Sequence, residues 1–492
     1  MIAADTPPVS DRTGLHNEQW RRLVFPPDHH NPVAASRYHL VVIGAGPAGL
    51  VASKVAATLG ARVALIERRA MGGDCLNVGC VPSKALLAAA RCGLSFTAAM
   101  ERVRTVRAQI AEHDSVETYT RAGVDVYLGP GRFVGAHEIQ IGTQVLRTRR
   151  TLIATGARPL VPPVPGLQEL QPLTNEAVFD LTAQPRRVAV LGGGPVGCEL
   201  AQAFARFGTQ VELIEMQPRL LPHDDPDAAH LVAQALRRDG VRLHLGSRLS
   251  SCRRSESGQV LELEGGERLE AEAVLVAVGR LRNVEELNLE AAGVRYDRRT
   301  GIEVDRHLRT SNPAVYAAGD VCSQYQFTHV ADAHARAVIR NALFHGRVRA
   351  DRLLVPWCTY TQPEVAHIGM TRAELERAGR PFIPLRVDFG DLDRGRTDDA
   401  TEGYAEVFVA GSSDRILGAT IVGKDAGEHL APLTVLMSTG LGLGRLATTI
   451  WPYPTRSEYL RRIADEYQRT RLSPWMRRAL RWWFGTESAA VA

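Results

Sequence analysis

Two cysteines, Cys75 and Cys80, stand five positions apart in the segment GGDCLNVGCVPSKALL at 72–87, just ahead of a helical pattern. Such a pair can bind a metal, pack as small hydrophobes or cycle between thiol and disulfide. A zinc site needs four ligands at suitable spacing, and no second CxxC or Cys/His cluster is present. Redox chemistry fits best. In a regular helix, residues five apart are separated by a rise of about 7.5 Å, beyond the usual disulfide Cα span of roughly 4.4–6.8 Å. Bridging them needs a distortion, which Gly79 and Pro82 can supply, and such a bond is comparatively easy to reduce. A cysteine near a helix N-terminus also has its thiolate favoured by the dipole. Lys84 stands out beside them, because Lys54, Lys84 and Lys424 are the only lysines of the chain.

The elements that would position this chemistry show as an internal repeat. Residues 39–67, HLVVIGAGPAGLVASKVAATLGARVALIE, and 187–215, RVAVLGGGPVGCELAQAFARFGTQVELIE, share one order of strand, glycine turn, helix and strand. Gly44 and Gly192 permit the tight turn, Gly46 and Gly194 let backbone approach a pyrophosphate, and Gly49 and Gly197 allow close packing of helix on strand. The phosphates would sit at the helix N-terminus. Glu67 and Glu215, each ending the second strand, would accept from a ribose 2′-hydroxyl. One GxGxxG is a weak signal, but the whole unit twice in register is a strong one.

Short alternating strands follow each copy, at 125–150 and 241–270, and then a buried strand ending in glycine, TLIATGA at 151–157 and VLVAVGR at 274–280. The fold class expected is α/β: two doubly wound, Rossmann-like dinucleotide-binding domains with β-meander crossovers, plus an α+β C-terminal dimerisation domain. The first copy carries a largely helical insertion at about 68–122 that holds both cysteines. The expected boundaries are an N-terminal extension at 1–36, a first dinucleotide-binding part at 37–165, a second dinucleotide domain at 166–284, a return to the first at 285–348, an interface domain at 349–468 and a basic amphipathic tail at 469–492. In that tail, Trp475, Leu480, Trp482, Trp483 and Phe484 lie among arginines. They predict an amphipathic helix suited to peripheral membrane contact or, the more usual outcome, to packing on its own protein.

At 492 residues and 53.7 kDa the chain is long enough for two to four domains. Its net charge of +5 is spread without long runs of one sign, so no nucleic-acid partner is expected. The acidic, proline-containing N-terminus lacks the pattern of a signal peptide, and no segment approaches about 20 apolar residues. A cytoplasmic protein is expected. Seven cysteines (75, 80, 92, 198, 252, 322 and 358) do not form a secreted disulfide framework, and Cys92, Cys198, Cys252, Cys322 and Cys358 read as structural thiols.

From residue 38 to about 468 the chain resembles the class I pyridine nucleotide-disulfide oxidoreductases, which include lipoamide dehydrogenase, glutathione reductase and mercuric reductase. The resemblance rests on GGDCLNVGCVPSKAL, both glycine fingerprints, ATGA at 154–157, GR at 279–280 and AAGD at 317–320. It implies a homodimer that binds FAD at the first unit and NAD(P)H at the second. It also implies that Cys80 lies beside the flavin, Cys75 exchanges with the acceptor, Lys84 and Glu199 pair near the isoalloxazine, and Asp320 binds the ribitol and phosphate region. Gly73, Gly135, Thr155, Gly156, Gly279 and His329 complete the implied cofactor-binding set. Electrons would pass from nicotinamide to flavin and through Cys80 to the disulfide, with no resident metal.

The chain departs from the family at two places. Members that reduce organic disulfides carry His-Pro-Thr-x-x-Glu, whereas TTIWPYPTRSEYL at 448–460 puts Tyr453 in the histidine position and keeps Glu458. A phenol, with a pKa near 10, is a poor base at pH 7 beside an imidazole near 6.5. Mercuric reductase also carries tyrosine there, and a soft ion held by thiolates needs no proton relay. Yet no cysteine follows Cys358, and no N-terminal CxxC domain is present. The expectation is a mercuric reductase-like enzyme with a small-molecule or metal-ion acceptor. The alternatives are a dihydrolipoamide dehydrogenase-type enzyme and a membrane-associated NADH:quinone-type flavoprotein. Glu215 favours NADH, since a carboxylate facing a 2′-phosphate at 4 Å costs on the order of 4 kcal/mol at an effective dielectric of 20. Arg219 stands near enough in sequence to keep NADPH a candidate.

Overall fold

A computed structural model of the chain describes residues 15–256 and 258–485. The start of the expected N-terminal extension and the last residues of the tail lie outside them. The chain divides into two compact units, Met1–Pro218 with Leu236–Leu353, and Arg219–Ala235 with Leu354–Ala492. The short Arg219–Ala235 stretch, expected within the second dinucleotide domain, thus belongs with the C-terminal unit.

In the first unit a seven-stranded sheet is built on Tyr38–Ile43. This strand pairs in parallel with Val63–Glu67 on one side and with the end of Gln144–Ile153 on the other. Val124–Leu128 and Val315–Ala317 extend the parallel part, while Gly131–Gly135, Glu138–Ile141 and the start of Gln144–Ile153 form the antiparallel meander. Leu40, Val41 and Val42 are all fully buried, as a parallel strand covered on both faces requires. The second copy gives a four-stranded parallel sheet of Arg242–Leu245, Gln210–Glu215, Arg187–Leu191 and Ala273–Val276, in that order. Its meander is the three-stranded sheet of Leu249–Ser255, Gly258–Leu263 and Arg268–Ala271. Two short strands, Ala157–Pro159 and Arg280–Arg282, pair where the chain crosses between the two sheets.

The repeat holds at backbone level. Gly44 and Gly192 have φ of +103° and +105°, a region open to glycine and costly for other residues. Side chains at Gly49 and Gly197 would collide with the carbonyls of Gly44 and Gly192, so each helix lies against its own turn. The insertion between the first acid and its meander is helical as expected, with Gly73–Asn77, Cys80–Arg91, Phe96–Ala111 and Val116–Arg121.

The C-terminal unit contains a five-stranded antiparallel sheet, in the order Pro356–Thr359, Glu364–Gly369, Ile416–Gly423, Tyr404–Ala410 and Phe382–Asp388. The helix Glu458–Arg471 buries Tyr459, Leu460, Ile463 and Tyr467 in the core of that unit. The tail forms the predicted helix, Pro474–Trp483, capped by Ser473, and Trp475, Trp482 and Trp483 on it are 70–83% exposed.

Candidate active site

The two cysteines lie on either side of a helix break. Cys75 is in the short helix Gly73–Asn77, Cys80 starts Cys80–Arg91, and Val78 and Gly79 join them. A side chain at Gly79 would stand 2.8 Å from the Asp74 carbonyl, so the chain returns on itself there only because no side chain is present. Pro82 sits in the first turn of the second helix, where proline is tolerated; Gly79 alone makes the distortion.

Both cysteines are thiols, and the structure makes them unlike. The hydrogen bond from Cys75, the hydroxyl of Thr328 and the charge of Lys84 lower the Cys80 pKa to about 6 against the opposition of burial and Glu199. The same bond to Cys80, together with burial, raises that of Cys75. The pair is thus polarised, with Cys80 the more readily ionised thiol and Cys75 its hydrogen-bond donor. Thr328 Oγ1 lies 3.6 Å from Cys80 Sγ. Sequence reasoning missed it; its one signal was a hydroxyl residue at the start of the helix that follows AAGD. Lys84 Nζ donates to Glu199 Oε2 at 2.8 Å, and Glu199 is 3% exposed, so the expected pair is formed.

The residues around the first glycine turn fit FAD. A side chain at Gly73 would come within 2.5 Å of the Gly46 Cα, so two glycines face each other at the N-terminus of Pro47–Thr58 and leave bare backbone for a pyrophosphate. Glu67 accepts from the backbone N–H of Ala45 and of Arg69, both at 2.7 Å, which fixes its carboxylate at the strand end. Burial raises its pKa against those bonds. Asp320 is raised to about 6, by burial first, with Arg280 opposing. Arg280 bonds Asp74 beside the cysteine helix, and its Nε lies 3.8 Å from the Asp320 carboxylate. That buried Nε–H has no hydrogen-bond partner, a donor matched to the ribitol and phosphate chemistry of the cofactor.

The remaining expected cofactor residues divide into two groups. Thr155 and Gly156 lie at the crossing: Thr155 Oγ1 donates to the Asn283 carbonyl at 2.7 Å, and the Asn283 N–H donates to Gly156 at 3.0 Å. Gly279, at φ +130°, accepts from Leu160 N at the same crossing. These three shape the passage between the sheets. His329 stacks on Phe327, with ring centroids 5.3 Å apart, in the first turn of Thr328–Leu343. Gly135 lies in the meander at an irregularity opposite Glu138, whose side chain alone borders the space a Cβ would enter.

At the second fingerprint a side chain on Gly194 would meet nothing within 4 Å. No packing demand requires glycine there, so the reserved space fits an approaching ligand. Glu215 accepts from Gly193 N at 2.6 Å and Gln217 N at 2.7 Å. Arg219 donates to the carbonyls of Leu221, Pro222 and Asp224 in its own loop.

In the C-terminal unit Tyr453 is exposed, and its hydroxyl donates to Asp393 at 2.7 Å, which raises its pKa further. Glu458 is buried and accepts from Arg462 Nε at 3.0 Å. Of the thiols expected to be structural, Cys198 and Cys252 are buried, Cys322 is pushed up to about 12 by burial, and Cys358 is partly covered. Cys92 departs from expectation. It caps the C-terminus of Cys80–Arg91 and is exposed.

The family model described as pyridine nucleotide-disulphide oxidoreductase matches residues 38–335, and that family's dimerisation domain matches 355–464. Mercuric reductase of Staphylococcus aureus is 32% identical over 447 residues, covering 87% of this chain and 82% of that protein. Dihydrolipoyl dehydrogenase 3 of Pseudomonas aeruginosa is 34% identical over 466 residues, covering 87% and 97%. Among solved structures, the Cu(II) complex of the HOCl-induced flavoprotein disulfide reductase RclA from Escherichia coli superposes with a TM-score of 0.82 at 29% identity, covering 88% of this chain and all of that one. The chain belongs to the pyridine nucleotide-disulphide oxidoreductase family. It is a mercuric reductase-like, FAD- and NAD(P)H-dependent flavin disulfide oxidoreductase that pairs as a homodimer. No helix among the described residues is long and apolar enough to cross a membrane.

Proposed function

We propose that Cys75 and Cys80 are the redox pair through which this enzyme passes electrons from NADH to a thiol-binding acceptor in the cytoplasm. The observation that carries the reading is the asymmetry of the pair, a Cys80 thiolate supported by Cys75, Thr328 and Lys84. Bound FAD supplies hydride acceptance from the nicotinamide and two-electron delivery to sulfur. Opening the disulfide takes two electrons and one proton and leaves a Cys75 thiol and a Cys80 thiolate. Reduction of the acceptor at Cys75 returns the two electrons, restores the disulfide and releases the proton. Gly44, Gly46, Gly49, Gly73, Glu67 and Asp320 hold FAD; Gly192, Gly194, Gly197 and Glu215 hold the nicotinamide nucleotide. Lys84 and Glu199 set the charge beside the sulfur.

The acceptor class follows from Tyr453. Its hydroxyl donates a hydrogen bond to Asp393, which raises an already high pKa and makes it a poorer base still at neutral pH. A soft metal ion bound by thiolate needs no base and suits the site better than a dithiol substrate. NADH is preferred over NADPH, because Arg219 spends its donors on its own loop while Glu215 presents a carboxylate to the ribose. The test is anaerobic titration with NADH followed by Hg²⁺, lipoamide or a quinone. A long-wavelength absorbance at two electrons, discharged by Hg²⁺ and lost in Cys75→Ser, is expected. Full acceptor turnover by Cys75→Ser overturns the assignment, and discharge by lipoamide instead of Hg²⁺ overturns the acceptor class.

A second role concerns the tail. The helix Pro474–Trp483 contains Arg477, Arg478 and Arg481 and no acid, and its tryptophans are exposed. This composition complements an anionic lipid surface. Co-sedimentation with phosphatidylglycerol vesicles that is lost on deleting 472–492 is the expected result. An unbound full-length enzyme, or a shorter chain that is monomeric, assigns the helix to the partner subunit instead.

A further inference from the structure

The helix Leu15–Val24 lies ahead of the family match, which begins at residue 38. Its inner face is nevertheless as buried as the core, with Asn17, Trp20 and Val24 each 5% exposed or less. What it touches is the loop that carries the cysteines. Trp20 Nε1 donates to Asn77 Oδ1 at 2.7 Å, and Asn77 lies between Cys75 and Cys80. The amide of Asn77 in turn donates to the carbonyls of Met71 at 3.0 Å and Gly73 at 2.8 Å. The other end of the loop is held as well, because Met71 N donates to the Val24 carbonyl at 3.0 Å.

Arg107, fully buried on Phe96–Ala111, joins the same group. Its guanidinium lies 4.3 Å from the centre of the Trp20 ring, donates to the Asn77 backbone carbonyl at 3.2 Å and to Asn17 Oδ1 at 2.7 Å, and stands 3.8 Å from Asp180. The Asn77 carbonyl ends the short helix and would otherwise lack a helical donor. Burying a cation is costly unless it is paired and hydrogen-bonded. Of these partners the Asn77 carbonyl lies in the segment 71–77, and Asn17 and Trp20 lie on the helix that also bonds Asn77.

We infer that Trp20, Asn77 and Arg107 are positioning residues, and that the helix Leu15–Val24 braces the redox loop so that Cys75 stays against Cys80. The break at Val78–Gly79 lets the loop return on itself, while the brace determines where the Cys75 side of the break stands. The inference rests on the redox reading of the pair only for its consequence, since the bracing can be measured on the thiols alone.

The test is the pH dependence of iodoacetamide alkylation of the reduced protein, located by peptide mass, and the disulfide equilibrium in glutathione buffers. Trp20→Phe keeps an aromatic ring in the core and removes the donor to Asn77. Cys80 is expected to ionise at higher pH, because its bond from Cys75 loosens, and the equilibrium constant for closing the disulfide is expected to fall by about tenfold as the effective concentration of the two thiols drops. Arg107→Lys, which retains the charge and loses the fork of donors, should shift both in the same direction. Val24→Ala is the control: it thins the same helix packing yet keeps the backbone carbonyl that holds Met71. It should lower thermal stability and leave both profiles in place. If Trp20→Phe and Val24→Ala both lower stability while all alkylation profiles superimpose on the parent's, the helix is only core packing and the inference falls. If the brace behaves as expected but Cys75→Ser keeps full acceptor turnover, the redox assignment fails and the brace stands.

Discussion

Thr328→Val gives the sharpest test of how the thiolate is stabilised. The substitution is nearly isosteric and removes one hydroxyl 3.6 Å from Cys80 Sγ, leaving Cys75 and Lys84 in place. A hydrogen bond to a charged group is worth about 1.5–3 kcal/mol. At this length about half of the lower figure applies, which raises the ionisation midpoint by about 0.5 pH unit. The midpoint should therefore move upward from about 6. The sign extends to stability. A thiol whose folded pKa lies below its unfolded one stabilises the reduced protein above the unfolded value, and that contribution is lost as pH falls through the folded value. Reduced Thr328→Val should lose its pH-dependent stability at a higher pH than the parent. Thiolate absorbance near 240 nm, titrated anaerobically in both proteins with Cys75→Ser as reference, reads the midpoint directly. An unchanged or lower midpoint in Thr328→Val, with flavin content intact, refutes the account of the hydroxyl as a thiolate donor.

The other predictions address the two nucleotides. Gly194→Ala adds a methyl into open space, so melting temperature should hold within a degree or two while the KM for NADH rises at least about tenfold, as loss of close backbone approach to the pyrophosphate requires; an unchanged KM counts against nucleotide binding there. Gly73→Ala, by contrast, meets the Gly46 backbone and should yield protein largely without flavin, read from the ratio of visible to ultraviolet absorbance. Asp320 has its pKa raised to about 6 by burial, so in the flavin-free protein its stability contribution falls as pH rises from the ordinary carboxylate range to that value. Asp320→Asn should then stabilise the flavin-free protein above pH 6 while weakening FAD retention, and a loss of stability at pH 7 would refute the sign. Glu215→Gln should narrow the preference for NADH over NADPH by about tenfold or more in kcat/KM, since the like-charge contact with a 2′-phosphate is removed.

Much of the fold was legible because it is written in local patterns. Parallel strands buried on both faces read as continuous apolar runs, the tight turns require glycine at positive φ, and both signals occur twice in register. The less legible parts were those set by distant partners. Arg219–Ala235 was read with the sequence around it, but its Asp224 receives Trp357 Nε1 at 2.8 Å and its Asp225 receives Thr420 Oγ1 at 2.5 Å. Those bonds tie the stretch to the C-terminal sheet, and no periodicity within it announces them. Cys92 reads as structural in the sequence, yet it is exposed. It falls at the C-cap, where the helix ends and the covering of its buried residues stops.

The candidate site divides along the same line. Cys75, Cys80 and Lys84 share one segment, and their chemistry could be read from types and spacing. Thr328 reaches Cys80 across 248 positions, and Arg280 reaches Asp74 across 206. The first contact exists only once Val315–Ala317 lies beside the end of Gln144–Ile153, and the second once Arg280–Arg282 pairs with Ala157–Pro159. The N-terminal brace carried still less signal, since a helix of ten residues with one tryptophan and two terminal arginines reads as a surface element. Its importance follows from an energetic argument on the folded chain: a buried guanidinium and a buried indole N–H must each find partners, and here both bond Asn77, which lies between the two cysteines. Motifs thus identify the reacting atoms, while the residues that tune them are found by accounting for every buried polar group around the motif.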